Sequence, residues 1–284
     1  MESTLYKGKP VADSLKEDLK KRIARLKEEG HMPKLTIIRV GNNEDDLSYE
    51  RGIRKNCQNL EIEVETLELP VDISQADLEK TLTQVNEDEK THGIMIFRPL
   101  PSHLDEGRIA RLIDPEKDID SMNPENLSRL FLGKDGGFVP CTPQAVIDLL
   151  EFYDFDFEGA NVVILGRSLV VGKPLAMLFL EKNSTVTICH SRTKNTKEIT
   201  KNADLVVAAL GRAKMVDDSY FTKDTIVVDV GINVDENGKL CGDVDRESVA
   251  GKVKALTPVP GGIGSVTSTV LMDHIVRACE NAKK

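Results

Sequence analysis

The sequence predicts an α/β protein of two domains, and three observations carry that expectation. Hydrophobic spacing switches repeatedly between period two and the helical period, so strand and helix patterns alternate along the chain. The alternation comes in two runs, separated by the turn-rich stretch 115–143. A length of 284 residues is too great for one small core and suits about two domains.

The first run opens with an amphipathic helix from Pro10 to about Glu29, with Val11, Leu15, Leu19, Ile23 and Leu26 on one face. "KLTIIRVG" is a buried strand closing in a glycine turn. "LSYERGIRKNC", 47–57, is a helix that stacks Tyr49, Ile53 and Cys57 and turns Glu50, Arg51, Arg54 and Lys55 away. "EIEVETLELP" alternates with period two, "ADLEKTLTQVNED" is a second amphipathic helix, and "GIMIFRPLP" is a short strand running into a proline-broken loop. Such alternation points to right-handed βαβ units on a mainly parallel sheet.

Residues 115–143 hold turn formers and no long apolar period, and read as the link between domains. "TPQAVIDLLEFY" then begins a helix with Thr142 as N-cap and Pro143 at the first helical position. The second run is strand "NVVILG", a helix from about Gly172, strand "TVTICH", a helix near Thr196, strands "LVVAAL" and "TIVVDVGI", and a late strand near Val253. The final amphipathic segment "TSTVLMDHIVRACENAKK" is placed back on the first domain. The expected domains are therefore 1–141 with 267–284, and 142–266.

Composition narrows the function. A formal charge of −9 argues against binding nucleic acid by neutralising phosphates. The five cysteines lack a C-x-x-C pair, so reduced thiols are expected, with no disulfide framework and no metal site. No stretch has the length and apolarity of a membrane span or a secretory h-region, and a cytoplasmic location is expected.

"NVVILGRSLVVGKPLAMLFL" places a glycine-containing turn between a hydrophobic strand and a helix, where free amides and the helix dipole can receive a pyrophosphate. The fit to G-x-G-x-x-G is imperfect: Gly166 is first, Ser168 takes the second place and Gly172 falls one late. A phosphate loop of the G-x-x-x-x-G-K-[ST] kind is excluded by the longer spacing and by Pro174. The second strand ends in Cys189, His190, Ser191 and Arg192, without the acid that would hold a ribose 2′-hydroxyl. Arg167, Ser191 and Arg192 suit a 2′-phosphate instead, so NADP is expected over NAD. "TPVPGGIGSVT", 257–267, is a second glycine cluster that suits close approach of a flat ligand.

In chain order the motifs are a strand ending in "VG" with Tyr49 beyond it, "RPLP", "KDID", "CTP", "GRSLVVGKP", "CHSRT", "DVGIN", "GDVD" and "TPVPGGIG". Together they closely resemble the methylenetetrahydrofolate dehydrogenase/cyclohydrolase family from about Val40 to Thr267. The resemblance implies an N-terminal α/β domain facing a Rossmann-type NAD(P)-binding domain across a cleft, usually in a homodimer. It implies oxidation of 5,10-methylenetetrahydrofolate in one-carbon metabolism, and in many members hydrolysis of the methenyl product. Carried onto this chain, Tyr49 stacks on the pterin and Asp120 hydrogen-bonds it. Gly166, Arg167, Ser168, Ser191 and Ile232 contact the cofactor, and Pro260, Gly261, Gly262, Ile263 and Gly264 form the loop over the substrate.

The departures cluster. The lysine of the family's Tyr-x-x-x-Lys pattern, its main cyclohydrolase residue, is Ile53 here. The supporting glutamine is Phe97, a glycine after the aspartate is Ser121, and a proline after the glycine loop is Ser265. Arg54 and Lys55 are poor substitutes for the lysine, since each residue turns a helix by about 100°. The expected function is a dehydrogenase without cyclohydrolase activity. The alternatives are an enzyme with both activities and a non-catalytic nucleotide-binding paralogue.

Overall fold

The computed structural model describes residues 2–283, which divide into two compact units. The chain begins with a short strand, β1 (Thr4–Leu5), and helix α1 (Gly8–Glu28). In α1 the residues Val11, Leu19, Ile23 and Leu26 are buried, as their spacing requires.

One unit comprises Ser14–Cys141 and the chain from Ser268 onward. Its sheet is built from β2 (Lys34–Val40), β3 (Glu63–Leu69) and β4 (Gly93–Ile96), in the order β3-β2-β4 and parallel throughout. Central β2 is buried from Leu35 to Arg39, the continuous burial of a parallel strand covered on both faces. Helices α2 (Glu44–Asn59) and α3 (Gln75–Glu87) are crossovers, each started by an Asn or Ser side chain that accepts a first-turn amide. In α2 the cap is Asn43, and Glu44, Asp45 and Asp46 sit on the positive end of the helix dipole. Leu78, Leu82 and Val85 of α3 pack with Ile38, Ile94 and Ile96 in the core.

Two expectations are corrected here. Glu50 does not face away. It is 7% exposed, accepting from Arg39 and Arg54 and from the Thr66 hydroxyl, because that flank of α2 lies against the buried Arg39 of β2. The stretch 115–143 is also not a bare link. After α4 (Glu106–Leu112), it contains α5 (Pro124–Phe131), too short for a periodicity signal but started by Asn123 as N-cap and Pro124.

The other unit takes the residues up to Asp13 together with Thr142–Thr267. Helix α6 (Cys141–Phe152) opens one residue before the expected cap, so Thr142 lies within its first turn. The elements that follow are β5 (Asn161–Leu165), α7 (Gly172–Glu181), β6 (Thr185–Cys189), α8 (Thr196–Lys201), β7 (Leu205–Ala208) and β8 (Ile226–Asp229). A hairpin of β9 (Asn233–Val234) and β10 (Leu240–Cys241), helix α9 (Arg246–Val249) and strand β11 (Ala255–Leu256) complete the series.

The six-stranded sheet has the order β1-β11-β8-β7-β5-β6 with every pair parallel. Strand order reverses between β5 and β7, so a crevice opens at their carboxyl ends. Residues 2–13, expected in the first domain, cluster here instead: Thr4 pairs with Ala255 and Leu5 with Leu256, and Tyr6 stacks on Tyr153 at 4.1 Å. A two-residue strand leaves no periodic trace in sequence. The last helix, α10 (Ile263–Asn281), clusters from Ser268 onward with the β2–β4 unit, where Asp273 and Glu280 pair with Arg22.

Candidate active site

Within the β2–β4 unit, the carboxyl ends of the strands open on a cavity of about 320 Å³. Tyr49 from α2, Phe97 and Arg98 after β4, and Asp120 line it, with Asp46 and Glu106 also in the wall. The Tyr49 ring is half exposed and lies 5.8 Å from the Phe97 ring, tilted by 47°. Burial against the wall, with the Asp120 charge adding to it, pushes the Tyr49 phenol up to about 12. It is therefore neutral, and able to donate, throughout the physiological range.

Asp120 sits on a loop held rigidly from behind. The buried carboxylate of Asp118 accepts from the amides of Met122 and Asn123 at 2.9 and 2.7 Å and from the Asn126 side chain at 3.0 Å. The Ile119 carbonyl accepts from His274 Nδ1 at 2.8 Å. These supports were not found in the sequence, where isolated polar residues carry no period. The Asp120 carboxyl opens on the cavity but is hemmed in by protein on its other sides, and this burial raises its pKa to about 6. Arg98 opposes that rise from 3.8 Å, and is itself 3.8 Å from Glu106.

Ile53 is placed differently from Tyr49. One turn along α2 it is 2% exposed, absent from the cavity lining, and enclosed in the core with Cys57. The expectation that it faces an open cleft is corrected: only the first residue of that helix face reaches the cavity.

Within the other unit, a cavity of about 450 Å³ lies at the switch point. Gly166, Arg167 and Ser168 form one wall, Cys189 to Ser191 a second, and Leu210 with Arg212 a third. Gly166 has φ +131°, and a Cβ there would lie 2.2 Å from the Ala209 carbonyl oxygen. Gly172 packs against the Gly166 carbonyl in the same way, so the late glycine serves close helix–strand packing. Ser168 replaces the missing glycine by closing the turn: its hydroxyl accepts from the Val171 amide at 3.1 Å. Among the described residues no side chain caps α7. The Lys173 amide donates to the Ser168 carbonyl at 3.0 Å and Pro174 carries no N–H, which leaves the Gly172 amide and the positive end of the helix dipole for an anion.

Arg192 is exposed outside this lining, while Arg212, not singled out from sequence, lies within it. Ile232 is 68% exposed and lines a third cavity of about 200 Å³, together with the loop Pro258–Ser265 that contains Pro260, Gly261, Gly262, Ile263 and Gly264. Among the described residues no helix is long and apolar enough to cross a membrane.

A parallel sheet whose switch point opens on a glycine turn and an uncapped helix defines a dinucleotide-binding enzyme unit. The second unit, with its aromatic and acidic cavity, fits a flat, hydrogen-bonding substrate. Comparison with known proteins supplies the family. Residues 6–120 match the model of the tetrahydrofolate dehydrogenase/cyclohydrolase catalytic domain, and residues 140–283 match its NAD(P)-binding domain. The chain belongs to the tetrahydrofolate dehydrogenase/cyclohydrolase family.

It is 53% identical over 277 residues to bifunctional protein FolD 1 of Desulfitobacterium hafniense (strain Y51), covering 98% of this chain and 99% of that one. Its fold matches the crystal structure of bifunctional FolD from Campylobacter jejuni with a TM-score of 0.95, at 38% identity over 98% and 99% of the two chains. It also matches the Trypanosoma brucei methylenetetrahydrofolate dehydrogenase-cyclohydrolase complexed with NADP cofactor and inhibitor, with a TM-score of 0.92, at 32% identity over 100% and 99%.

Proposed function

We propose that this chain oxidises 5,10-methylenetetrahydrofolate with NADP and no longer accelerates hydrolysis of the methenyl product. The observation that carries the proposal is the lining of the Tyr49 cavity. Among the described residues the one basic side chain in it is the guanidinium of Arg98, while the family's lysine and glutamine positions hold Ile53 and Phe97.

The two reactions ask different things of the protein. Oxidation needs the methylene carbon held about 3–3.5 Å from the hydride acceptor, in the right orientation. When bound, NADP supplies that acceptor. The chain's own part is positioning. Tyr49 offers a ring face to the pterin, ionised Asp120 accepts from the pterin's N–H groups, and Phe97 keeps water from the wall. In the other unit, the Gly166–Ser168 turn and the positive end of α7 receive the pyrophosphate, and Arg167 and Ser191 the 2′-phosphate. No side chain has to exchange a proton with the reacting carbon.

Hydrolysis needs an activated water and proton transfers as the ring opens, where a positioned acid or base contributes about 10²–10⁴-fold. Isoleucine and phenylalanine can neither donate nor accept. A second reading keeps both activities, with Asp120 carrying the proton. It is favoured by the raised pKa of that carboxyl, about 6, and by relatives named as bifunctional.

The reading as a dehydrogenase is tested by following NADPH formation from methylenetetrahydrofolate and NADP with purified protein. Turnover with NADP preferred over NAD supports it. Tight NADP binding without turnover or folate affinity would instead indicate a nucleotide-binding paralogue. Homodimerisation is proposed from the family resemblance, and a cytoplasmic location from the reduced thiols expected of its five scattered cysteines.

A further inference from the structure

Two buried carboxylates at the carboxyl edge of the six-stranded sheet have no part in the chemistry above. Asp229 ends β8 and is 3% exposed, and Asp243 follows β10 and is fully buried. Asp243 accepts from three successive backbone amides: Leu210, Gly211 at 3.1 Å and Arg212 at 2.7 Å. A fourth donor, the Asn233 side chain, reaches the same group at 3.0 Å. Three successive amides can converge because Gly211 has φ +64°. The result is a backbone concavity of the kind that holds phosphates, with the chain's own carboxylate as its anion.

Asp229 completes the arrangement from the opposite side. It accepts from the amides of Asp243 and Gly231 at 3.0 Å and of Val244 at 2.9 Å. Asp229 thus grips the loop that carries Asp243, Asp243 grips the loop after β7, and a glycine opposite each makes room. A Cβ on Gly231 would lie 2.4 Å from the Asp243 carboxyl carbon, and one on Gly242 would lie 1.9 Å from an Asp229 oxygen.

We propose that Asp243 is a positioning residue for the dinucleotide. It draws the amides of residues 210–212 inward, and so presents Leu210 and Arg212 to the switch-point cavity that both line. Asp229 fixes Asp243 in turn. The interlock joins the loop after β7 to the loop after β8, which lines the neighbouring cavity with the 258–265 glycine loop. A phosphate is directed to the glycine turn of β5, because the concavity after β7 is already filled. This inference rests on the reading of the switch-point cavity as the dinucleotide site.

The test is Asp243→Asn, which keeps the shape but sets an NH₂ group against amide donors. NADPH binding is followed by the nucleotide's own fluorescence, the KM for methylenetetrahydrofolate is measured beside it, and thermal unfolding reports folding. Loss of one to two charge-assisted hydrogen bonds to the loop is expected to raise the NADPH Kd by about 10–100-fold. The folate KM is expected to stay within about twofold, below the ~1.4 kcal/mol of a tenfold change. If the variant does not fold, Asp229→Asn, which leaves the Asp243 carboxylate in place, is expected to give a smaller rise in the same constant alone. An unchanged NADPH Kd overturns the proposal, as does an equal rise in both constants, since either marks a purely structural acid. Failure of the unaltered protein to bind NADPH removes the cavity reading and this inference together.

Discussion

Phe97 sets its ring 5.8 Å from that of Tyr49, and the two aromatic side chains share one cavity wall with Asp120. The pair occupies ground where the family resemblance places a hydrogen-bonding glutamine, so the wall is apolar where a hydrolytic site needs a donor. Truncating Tyr49 to alanine removes a stacking face worth about 0.5–1.5 kcal/mol. The expected outcome in steady-state kinetics is a rise of several-fold to about tenfold in the folate KM, with the NADPH Kd unchanged. Tyr49→Phe is expected to retain most of the affinity that alanine loses.

Asp120 gives the reaction a pH dependence. Its pKa in the folded protein, about 6, lies above the ordinary 3.8 because burial disfavours the charge. An acid raised in this way stabilises the fold most below the ordinary value, and that contribution is lost as pH rises through 6. Activity runs the opposite way, because the pterin's N–H groups need an ionised acceptor. Below pH 6 the kcat/KM for the folate is expected to fall by about tenfold per pH unit, and Asp120→Asn is expected to abolish that limb. A profile flat to pH 5 contradicts the role given to Asp120.

Ser121 is the residue beside it whose replacement should stabilise the protein. It has φ +55°, a conformation costing a non-glycine residue about 1–2 kcal/mol, and its buried hydroxyl has no hydrogen-bond partner among the described residues. Glycine relieves both at an entropic cost of about 0.5–1 kcal/mol. Ser121→Gly is expected to raise the denaturant midpoint by the equivalent of about 1 kcal/mol or more. A lower midpoint contradicts this balance.

Cofactor choice rests on Arg167. Its removal as alanine deletes a charge-assisted contact to the 2′-phosphate worth about 1.5–3 kcal/mol. The KM for NADP should rise by about 10–100-fold while that for NAD stays within about twofold. Equal effects on both would place Arg167 on the shared part of the cofactor.

The fold was legible wherever a periodic pattern was long enough to register. The strands Lys34–Val40 and Asn161–Leu165 and the helix Gly8–Glu28 are of that kind. The two-residue strands β1, β9 and β10 and the eight-residue helix α5 were not legible. Their position is fixed by partners far away in sequence, as Thr4 is by Ala255. In the site, the family resemblance named Tyr49 and Phe97 one by one, but helical spacing could not tell that Ile53, one turn on from Tyr49, is enclosed. Asp118, Asp229 and Asp243 were invisible as supports because backbone amides, which carry no sequence signal, are their main partners.

The most direct measurement uses 5,10-methenyltetrahydrofolate without nicotinamide, following loss of its absorbance with the unaltered protein and with Ile53→Lys/Phe97→Gln. For the unaltered protein the expected rate is that of buffer, while oxidation of methylenetetrahydrofolate with NADP proceeds in a parallel cuvette. In the double variant, if folded, the lysine buries its stem at the enclosed Ile53 site and extends its ammonium to the cavity wall, and a gain of at least about tenfold is expected, a fraction of what a positioned base contributes. Clear acceleration by the unaltered protein would contradict the loss of hydrolysis and point to Asp120 as the proton carrier.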